Sequence, residues 1–408
     1  MKLKKYMIGL AVVFIICVLL SGIFLLYNQR GKEYTQNDYT YSSDYYILID
    51  NGLYYIQDSV AQYYDYNSKR NIKLEENTGD SYYKGGLSGF FYDNKFYCVC
   101  YDSDVVRDGY AKVTLYSCDC NGSNKRKVYD FPVGGVNKLY VYQGKLYYVL
   151  YCPDKEKNKD EEGNLVEDLY HQYNNNSLHE FNLKSKKDKI LYELKVEDDK
   201  HGGYLDICET DDRSKIYMYY WYYNVPSTIE EMTADSVDIS TYYMSEFLCY
   251  DRKDKKVKPC FTGVDKKHFF RDGIAVSQDK LYAIENDSAT GKVALKAFAA
   301  NGDSEIILQG NRKEQWSILN GKLYLKSLEK PVLYDIWTGK CYQANRKLNY
   351  NIVAFSNTGE YIAMDIGDYS DLKEGDTYTK SRFEPDIIKK DDFLKDFHIC
   401  NCSEVEGL

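Results

Sequence analysis

The segment QGKLYYV, residues 143–149, joins a Gln-Gly turn to a run of apolar and aromatic side chains. Six other segments have the same form, although the last has Ile362 at the aromatic position. They are NGLYYI (51–56), DNKFYCV (93–99), RSKIYMY (213–219), QDKLYAI (278–284), NGKLYLK (320–326) and TGEYIAM (358–364). A turn dipeptide that leads into such a run is typical of the middle of a β-hairpin, so the chain is predicted to hold seven similar hairpin units.

A second recurring element follows each hairpin. It is a further strand that ends in a polar turn, and an Asp or Asn usually stands where the turn begins. These residues are Asp65, Asp119, Asn182, Asp251, Asp335 and Asn401, while the fifth repeat has Ala299. Asp and Asn side chains cap turns by accepting backbone hydrogen bonds, so we interpret them as turn caps and not as catalysts.

Seven copies of a four-stranded unit predict an all-β fold, a β-propeller of seven radial blades, with six or eight blades as the alternatives. The chain ends soon after its last third-strand element. We therefore expect the segment 33–41 to supply the missing strand of the last blade, which would leave no exposed sheet edge there.

The repeats resemble those of bacterial extracytoplasmic propellers of the TolB-like and low-density-lipoprotein-receptor-like type. Those repeats also join an apolar-aromatic second strand to a third strand that ends in a polar turn. The resemblance covers residues 40–408. It is one of pattern only, because the receptor family's Tyr-Trp-Thr-Asp motif is absent and that family has six blades. It implies a fold and carries no function.

An uncharged run begins at Met7 and ends at Tyr27. At a rise of about 1.5 Å per residue, a helix of this length crosses a bilayer. Lysines precede the run, which favours an N-terminus in the cytoplasm. We therefore predict a cytoplasmic stub and a single-pass membrane anchor in residues 1–32, and a propeller outside the cytoplasm in residues 33–408. A cleaved signal peptide is the competing interpretation, but no small-x-small site follows the run.

The composition excludes some classes of function. The formal net charge is −9, and acidic and basic residues are interspersed, so no basic surface for nucleic acid is expected. The 45 Tyr residues against 6 Pro favour strand-rich folded structure over disorder.

The insertions are unevenly distributed. From the second-strand aromatic to the third-strand Asp or Asn position the separation is 11 residues in the first and sixth repeats and 17 in the fifth, but 22, 35, 34 and 39 in the second, third, fourth and seventh. Connections between strands two and three all leave a propeller on one face. Long loops on a rigid scaffold are where binding residues concentrate, so this face is the predicted functional surface.

The aromatic side chains near these insertions are the candidate ligand-binding residues. They are Tyr170, Tyr173, Trp221, Tyr222, Tyr223, Tyr242, Tyr243, Tyr369 and Tyr378. In the run YMYYWYY the residues up to Tyr220 belong to the buried strand, whereas the last three extend toward the decorated face. For those three, packing beneath the insertion is the alternative to ligand contact. Tyr and Trp suit sugars and protein partners equally well.

No catalytic motif, cofactor site or metal-ligand spacing is present in the sequence, and the five His are scattered. Cys98, Cys100, Cys118 and Cys120 fall on two adjacent predicted strands. They suit packing between blades, a disulfide or a thiolate metal site, and the sequence leaves these three open.

Two functions follow. The first is a membrane-anchored binding or sensing protein that recognises a protein or a cell-envelope glycan through loops on one face. The alternative is a surface hydrolase or lyase that acts on glycans with carboxylates near the central channel. Such an enzyme needs two carboxylates held about 5 to 9.5 Å apart, and the sequence designates no such pair.

Overall fold

The computed structural model describes residues 39–405 with short gaps, which are residues 42–45, 50–51, 58–59, 74–84, 94, 108–109, 120–122, 160–172, 196, 198–199, 225–241, 269, 271–272, 288–289, 312–314, 327–329, 349, 357–359 and 367–382. Within this part of the chain no helix has the length and apolar character to span a membrane. The run from Met7 to Tyr27, which carries the predicted anchor, lies outside the described residues.

Seven separate sheets form the structure, and each is one blade. A short strand, β1 (Tyr39–Tyr41), precedes them. Blade one consists of β2 (Tyr46–Ile49), β3 (Gly52–Gln57), β4 (Val60–Asp65) and β5 (Arg70–Lys73). Blade two consists of β6 (Gly85–Tyr92), β7 (Lys95–Arg107), β8 (Tyr110–Asp119) and β9 (Arg126–Asp130). Blade three consists of β10 (Gly135–Tyr142), β11 (Lys145–Pro153), β12 (Asn174–Asn182) and β13 (Lys187–Leu194).

The remaining blades are less regular. Blade four consists of β14 (His201–Ile207), β16 (Lys215–Tyr223), β17 (Tyr243–Asp251) and β18 (Lys256–Cys260). The short β15 (Glu209–Thr210) lies between β14 and β16 in the chain but joins the sheet of blade five. Blade five consists of β19 (Ile274–Ser277), β20 (Lys280–Asp287), β21 (Lys292–Phe298) and β22 (Ser304–Asn311). Blade six consists of β23 (Gln315–Leu319), β24 (Lys322–Lys326), β25 (Val332–Asp335) and β26 (Lys340–Ala344). Blade seven has three strands, β27 (Asn351–Phe355), β28 (Tyr361–Asp365) and β29 (Pro385–Lys389). A helix, α1 (Lys390–Phe393), and a last strand, β30 (Phe397–Cys400), follow.

The predicted hairpin turns have the backbone geometry that their residues favour. Gln143 and Gly144 both have positive φ, 49° and 72°, and so do Asn320 and Gly321, at 48° and 69°. Two consecutive residues of positive φ form the type I′ turn, whose twist matches that of the flanking strands. In these blades the turn dipeptide therefore places the second strand against the first.

The turn caps are confirmed in four of the six positions. The Asp65 carboxylate accepts the backbone N–H of Ser68 at 2.6 Å. The side chains of Asn182, Asp251 and Asp335 each accept two backbone N–H groups of their own turn. Asp119 instead accepts side-chain hydrogen bonds from Ser123 and Asn124.

Each pair of neighbouring blades shares one hydrophobic core, and the pairs close a ring. Six of these cores lie between consecutive blades, from the pair of blades one and two to the pair of blades six and seven. The seventh joins blade seven to blade one and contains Leu53 from β3, Ala363 from β28 and Ile387 from β29. The predicted propeller with seven blades is therefore confirmed, and it closes through side-chain packing.

The predicted closure of the ring was wrong, because both terminal strands pair elsewhere. β1 pairs with β10, the innermost strand of blade three, and not with the last blade. β30 pairs with β26, on the outer edge of blade six. The third strand of blade seven is β29, so Asn401 is not the landmark of a seventh third strand. The segment His398 to Cys402 has the sequence pattern of such a strand, which caused the error.

The aromatic run of β16 is buried on both faces up to Tyr220, as expected. Tyr217 and Tyr219 pack in the core between blades four and five, whereas Met218 and Tyr220 pack between blades three and four. Successive side chains of a strand point to opposite faces, so both faces of a blade must be apolar when blades cover both.

Substitution of Gly321 by Ala tests the turn and its packing. A Cβ at Gly321 would overlap the Trp337 ring, and φ there is also positive. Gly291 is the matched control, since its φ of 68° is nearly the same but no atom lies within 4 Å of the added Cβ. We expect Gly291→Ala to cost about 1 kcal/mol and Gly321→Ala to cost roughly 1–3 kcal/mol more, measured by urea unfolding. Equal costs for the two variants would contradict this account.

Candidate functional site

The long connections lie between strands two and three of the predicted blades. They span residues 154–173 in blade three, 224–242 in blade four and 366–384 in blade seven. In blade two the extra residues instead lengthen the hairpin, because β7 has 13 residues and β8 has 10. In a four-stranded meander these connections all leave on the same face as the links between blades. We call it the loop-bearing face.

The two described ends of the blade-three connection are held together by one side chain. The Asn158 amide donates to the Tyr173 carbonyl at 2.9 Å and accepts the Tyr173 N–H at 2.6 Å. The Asp154 carboxylate caps the turn before it by accepting the backbone N–H groups of Glu156 and Lys157. The root of this connection is therefore a fixed part of the blade.

The blade-seven connection also reaches a neighbour. The Phe383 ring, next to β29, lies 5.3 Å from the Tyr46 ring and 4.9 Å from the Tyr55 ring of blade one, measured between centroids. The end of this connection thus covers the seam between the last blade and the first.

A continuous group of aromatic rings lies at the loop-bearing ends of blades two, three and four. We call it the aromatic belt, and it consists of Tyr110, Tyr151, Tyr204, Trp221, Tyr223 and Tyr243. Ring centroids of successive members are 6.1 Å apart for Tyr110–Tyr151, 4.9 Å for Tyr151–Tyr204, 4.9 Å for Tyr204–Trp221, 6.3 Å for Trp221–Tyr243 and 4.8 Å for Tyr223–Tyr243. Five of the six are half-buried and thus keep part of their surface accessible, and only Tyr223 is buried. Contacts of this spacing favour offset or edge-to-face geometries and hold each ring in place.

Strand register builds the belt within blade four. Tyr204 of β14 stands opposite Trp221 of β16, and Tyr223 stands opposite Tyr243 of β17. Directly opposite residues of antiparallel strands share a face of the sheet, so their rings meet. The Tyr223 hydroxyl also donates to the Tyr243 hydroxyl at 3.2 Å.

A glycine fixes the belt in blade three. Gly135 stands opposite Tyr151, and a Cβ on Gly135 would overlap the Tyr151 ring. The absence of a side chain lets the Tyr151 ring lie across the first strand, toward Tyr204 of the next blade. This is the close approach for which glycine is suited within a strand.

The structure brings some of the predicted residues together and not others. Trp221, Tyr223 and Tyr243 belong to the belt. Tyr173 lies beside it, with its ring 4.6 Å from that of His201, the residue opposite Tyr223. Tyr170, Tyr369 and Tyr378 lie outside the described residues, and Tyr242 is half-buried just before β17.

Tyr222 points to the other side of β16. It is 4 % exposed, and it packs between blades three and four. Its hydroxyl donates to Glu246 at 3.1 Å, and Lys200 and Lys266 approach the same carboxylate at 3.2 and 2.6 Å. Burial opposes ionisation of Glu246, but the two lysines outweigh it and lower its pKa. Tyr222 therefore belongs to an interblade polar cluster and not to the belt.

Tyr110, Tyr151 and Tyr204 were not among the predicted residues, because each lies within a strand and neither in an insertion nor in the run of β16. Each belongs to a different blade and lies toward its loop-bearing face. A comparison of the aromatic residues in this part of adjacent predicted strands is the signal that would have found them.

Ser177, His179 and Asp188 form a chain of hydrogen-bonding groups in blade three. Ser177 Oγ lies 2.9 Å from His179 Nε2, and His179 Nδ1 lies 2.9 Å from Asp188 Oδ2. Serine hydrolases use this order of groups. Here, however, His179 is 3 % exposed, the Tyr148 ring stacks on it at 4.7 Å, and the Tyr148 hydroxyl donates to Asp188 at 3.1 Å. The His ring is covered where a substrate would have to approach, so we assign this chain to the packing of blades two and three.

The channel side of two blades is covered by the chain itself. β1 lies on the innermost strand of blade three, and β15 pairs in parallel with β19, the innermost strand of blade five. The Glu209 carboxylate of β15 accepts the backbone N–H groups of Asn320 and Gly321 at 3.2 and 2.7 Å. Burial raises the pKa of Glu209, while nearby Lys138 and these amides oppose the increase. This carboxylate holds the first turn of blade six in place.

The described cysteines of blade two are buried. Cys98, Cys100 and Cys118 pack with aromatic rings between blades one and two, and the sulfur atoms of Cys98 and Cys100 are 3.3 Å apart. This placement supports the packing interpretation. Cys120 lies outside the described residues. Across the part of the chain that the structure describes, no group of His, Cys, Asp and Glu is arranged to hold a metal ion.

No family model and no curated protein matches the sequence. Among solved structures, an oligogalacturonate lyase in complex with manganese is 11 % identical, with a TM-score of 0.43 over 86 % of this chain and 89 % of that one. An oligogalacturonate lyase from Vibrio parahaemolyticus is 9 % identical, with a TM-score of 0.43 over 87 % and 86 %. The Porphyromonas gingivalis dipeptidyl peptidase 4 is 9 % identical, with a TM-score of 0.41 over 79 % of this chain, which spans only 56 % of the peptidase. Similarity at this level carries no argument about activity.

The loop-bearing end of blade five carries a carboxylate whose ionisation stabilises the fold. Glu285 lies 2.5 Å from His268 Nδ1 and also pairs with Lys296. The hydrogen bond from His268, helped by Lys296 and opposed by burial, lowers the pKa of Glu285 to about 2 from its ordinary value of 4.5. Because its folded pKa is depressed, Glu285 contributes stability above pH 4.5, and this contribution is lost as the pH falls toward 2.

We expect Glu285→Gln to lower the free energy of unfolding by up to about 3 kcal/mol near pH 7, with a difference from wild type that shrinks below pH 4.5. Urea unfolding of both proteins from pH 7 to pH 3 measures this. Glu305→Gln is the control, since its ion pair with Lys280 is exposed and is worth about 0–1 kcal/mol. A deficit for Glu285→Gln that is the same at every pH would refute the assigned role.

Proposed function

We propose that the protein is a membrane-anchored binding or sensing protein of the cell envelope, which recognises a protein or a cell-envelope glycan through its loop-bearing face. The anchor is the run from Met7 to Tyr27, and the propeller lies outside the cytoplasm. The aromatic belt is the observation that carries the proposal. It is a preformed apolar surface at the roots of the blade-two hairpin and of the long connections of blades three and four.

The belt suits binding because its rings are held before a ligand arrives. Each ring contacts another at 4.8 to 6.3 Å, so little side-chain freedom is lost on association. Tyrosine hydroxyls are protonated near neutral pH and can donate hydrogen bonds, and burial raises the pKa of Tyr110 and of Tyr204 further above the ordinary value of 10.0. Apolar ring faces combined with hydroxyl donors are what a sugar ring or an extended peptide requires.

The alternative, a hydrolase or lyase with carboxylates near the channel, has less support from the described residues. Glu209, a carboxylate of the channel-side β15, is occupied by backbone amides. Two blades also have their innermost strands covered by β1 and β15. Turnover of a polysaccharide by the purified protein would be evidence for this alternative.

Removal of a belt ring tests the binding surface. We expect Trp221→Ala and Tyr204→Ala each to weaken binding at least about 10-fold, because a central aromatic residue of an interface typically contributes more than 1 kcal/mol. Binding of the full chain to cell-envelope glycan fragments and to purified envelope proteins is measured by isothermal titration calorimetry, so the two classes of ligand are separate arms.

Tyr66→Ala is the matched control, because Tyr66 is a half-buried tyrosine in the β4–β5 turn on the opposite face. It should leave binding unchanged. Thermal unfolding of each variant shows whether it is folded. If the folded belt variants bind every ligand of the wild type with unchanged affinity, the proposed surface is wrong.

The anchor has its own test. We expect the full chain to fractionate with membranes and to require detergent for release, and a chain that lacks residues 1–32 to be released without it. Sequencing of the N-terminus of the mature protein completes the test. A mature protein that begins after Tyr27 would show a cleaved signal peptide and contradict the anchor.

A further inference from the structure

The C-terminal segment is a strap that joins three blades. α1 follows blade seven directly, and Phe393 within it is buried in the core between blades six and seven. β30 then adds a fifth strand to the outer edge of blade six. The one-turn 3₁₀ helix Cys402–Glu404 follows, and Cys402 and Val405 pack against the core between blades five and six. We call residues 390–405 the C-terminal strap.

Three thiols meet where the strap crosses blade six. Cys341 of β26 and Cys400 of β30 stand directly opposite each other, and their sulfur atoms are 3.5 Å apart. The side chain of Cys402 interacts with that of Cys341, which lies in the core between blades five and six against which Cys402 packs. Opposite residues of an antiparallel pair have Cα atoms about 4.5–5.5 Å apart, which falls in the range that a disulfide spans.

We propose that these three thiols are a disulfide site, in which Cys341 bonds to Cys400 or Cys402 and fastens the C-terminal strap to blade six. Cys341 is the shared partner, because it stands opposite Cys400 and its side chain also interacts with that of Cys402. It is 3 % exposed, whereas Cys400 and Cys402 are half-buried at the outer rim. An external disulfide therefore reaches the strap cysteines first.

The reaction is a thiol–disulfide exchange with a disulfide of another molecule as the oxidant. The Cys402 thiolate attacks one sulfur of that disulfide, forms a mixed disulfide and expels one thiolate. Cys341 then loses its proton and attacks the Cys402 sulfur, which expels the second thiolate. The expelled thiolates take up the two protons, so two protein thiols are oxidised and one external disulfide is reduced to two thiols.

Accessibility at the outer rim and the contact with Cys341 together make Cys402 the attacking group. The hydrogen bond with Cys341 lowers the pKa of Cys402, against the effect of burial, and thus increases its thiolate fraction. Cys400, whose sulfur lies 3.5 Å from that of Cys341, can then attack Cys341 and release Cys402. The third thiol permits the bond to move between the two strap positions.

The bond would close a loop that contains blade seven. Cys341 and Cys400 are 59 residues apart, and β27, β28 and β29 lie between them. A cross-link that closes a long loop removes entropy from the unfolded chain and thereby stabilises the fold. Blade seven has three strands in the described part of the chain, and the closed loop would tie it to blade six.

The test treats the purified full chain with oxidised glutathione and maps its disulfides by mass spectrometry of peptides. We expect a bond from Cys341 to Cys400 or Cys402 and a melting temperature at least about 4 °C above that of the chain reduced with dithiothreitol. Cys400→Ser should give only the Cys341–Cys402 bond, and Cys402→Ser only the Cys341–Cys400 bond.

Cys341→Ala should abolish the shift in melting temperature on oxidation, whereas Cys152→Ser, in blade three, should leave it intact. The mapping of the wild type does not depend on the folding of any variant. Persistent thiols at all three positions, glutathione adducts that never resolve into an internal bond, or a Cys341 bond that leaves the melting temperature unchanged would each overturn the proposal.

Discussion

A sheet with two apolar faces is stable only when a neighbour covers each face, and this requirement determines the whole molecule. Successive side chains of a strand are buried against opposite neighbouring blades, as the aromatic run of β16 shows. Seven shared cores cover both faces of every blade, and the last of them joins blade seven to blade one. Burial of apolar area at about 25 cal/mol per Å² makes these interblade cores the main source of stability.

Because the ring closes by side-chain packing, the first and the last described strands pair with other blades. β1 covers the inner edge of blade three, and β30 extends the outer edge of blade six. Both strands protect edges that would otherwise pair with other chains. Among the described residues no strand is shared across the seam. The contact between blades seven and one includes Leu53, Ala363 and Ile387, supported by Phe383 of the blade-seven connection.

The repeat was predictable because local residues determine it. The turn dipeptides and the Asp and Asn caps act within a few residues, and the structure confirms several of the turns and four of the six caps. The face that carries the insertions was predicted from the lengths of the connections between strands two and three. The terminal pairings were not predictable, since a short strand such as β30 fits any free edge and the choice depends on distant packing. A similar segment, ending near Asn401, was therefore assigned to the wrong blade.

The candidate site was predictable only in part. Trp221, Tyr223 and Tyr243 were found because they border an insertion. Tyr151 and Tyr204 belong to different blades, and their rings meet through the ring geometry of the propeller, which no local pattern contains. The three thiols of the strap are equally non-local. In each case the sequence supplies the residue types, and the interblade packing decides which of them meet.

The most direct test of ring closure is a zero-length cross-link across the seam. Lys69 of blade one lies 2.7 Å from the Asp386 carboxylate of blade seven, although the two are 317 residues apart in the chain. Treatment with a carbodiimide should join them by an amide bond, and mass spectrometry should identify the linked peptide. If Lys69 were instead cross-linked only to acidic residues of blades other than seven, blades seven and one would not be neighbours. That result would contradict the closed ring.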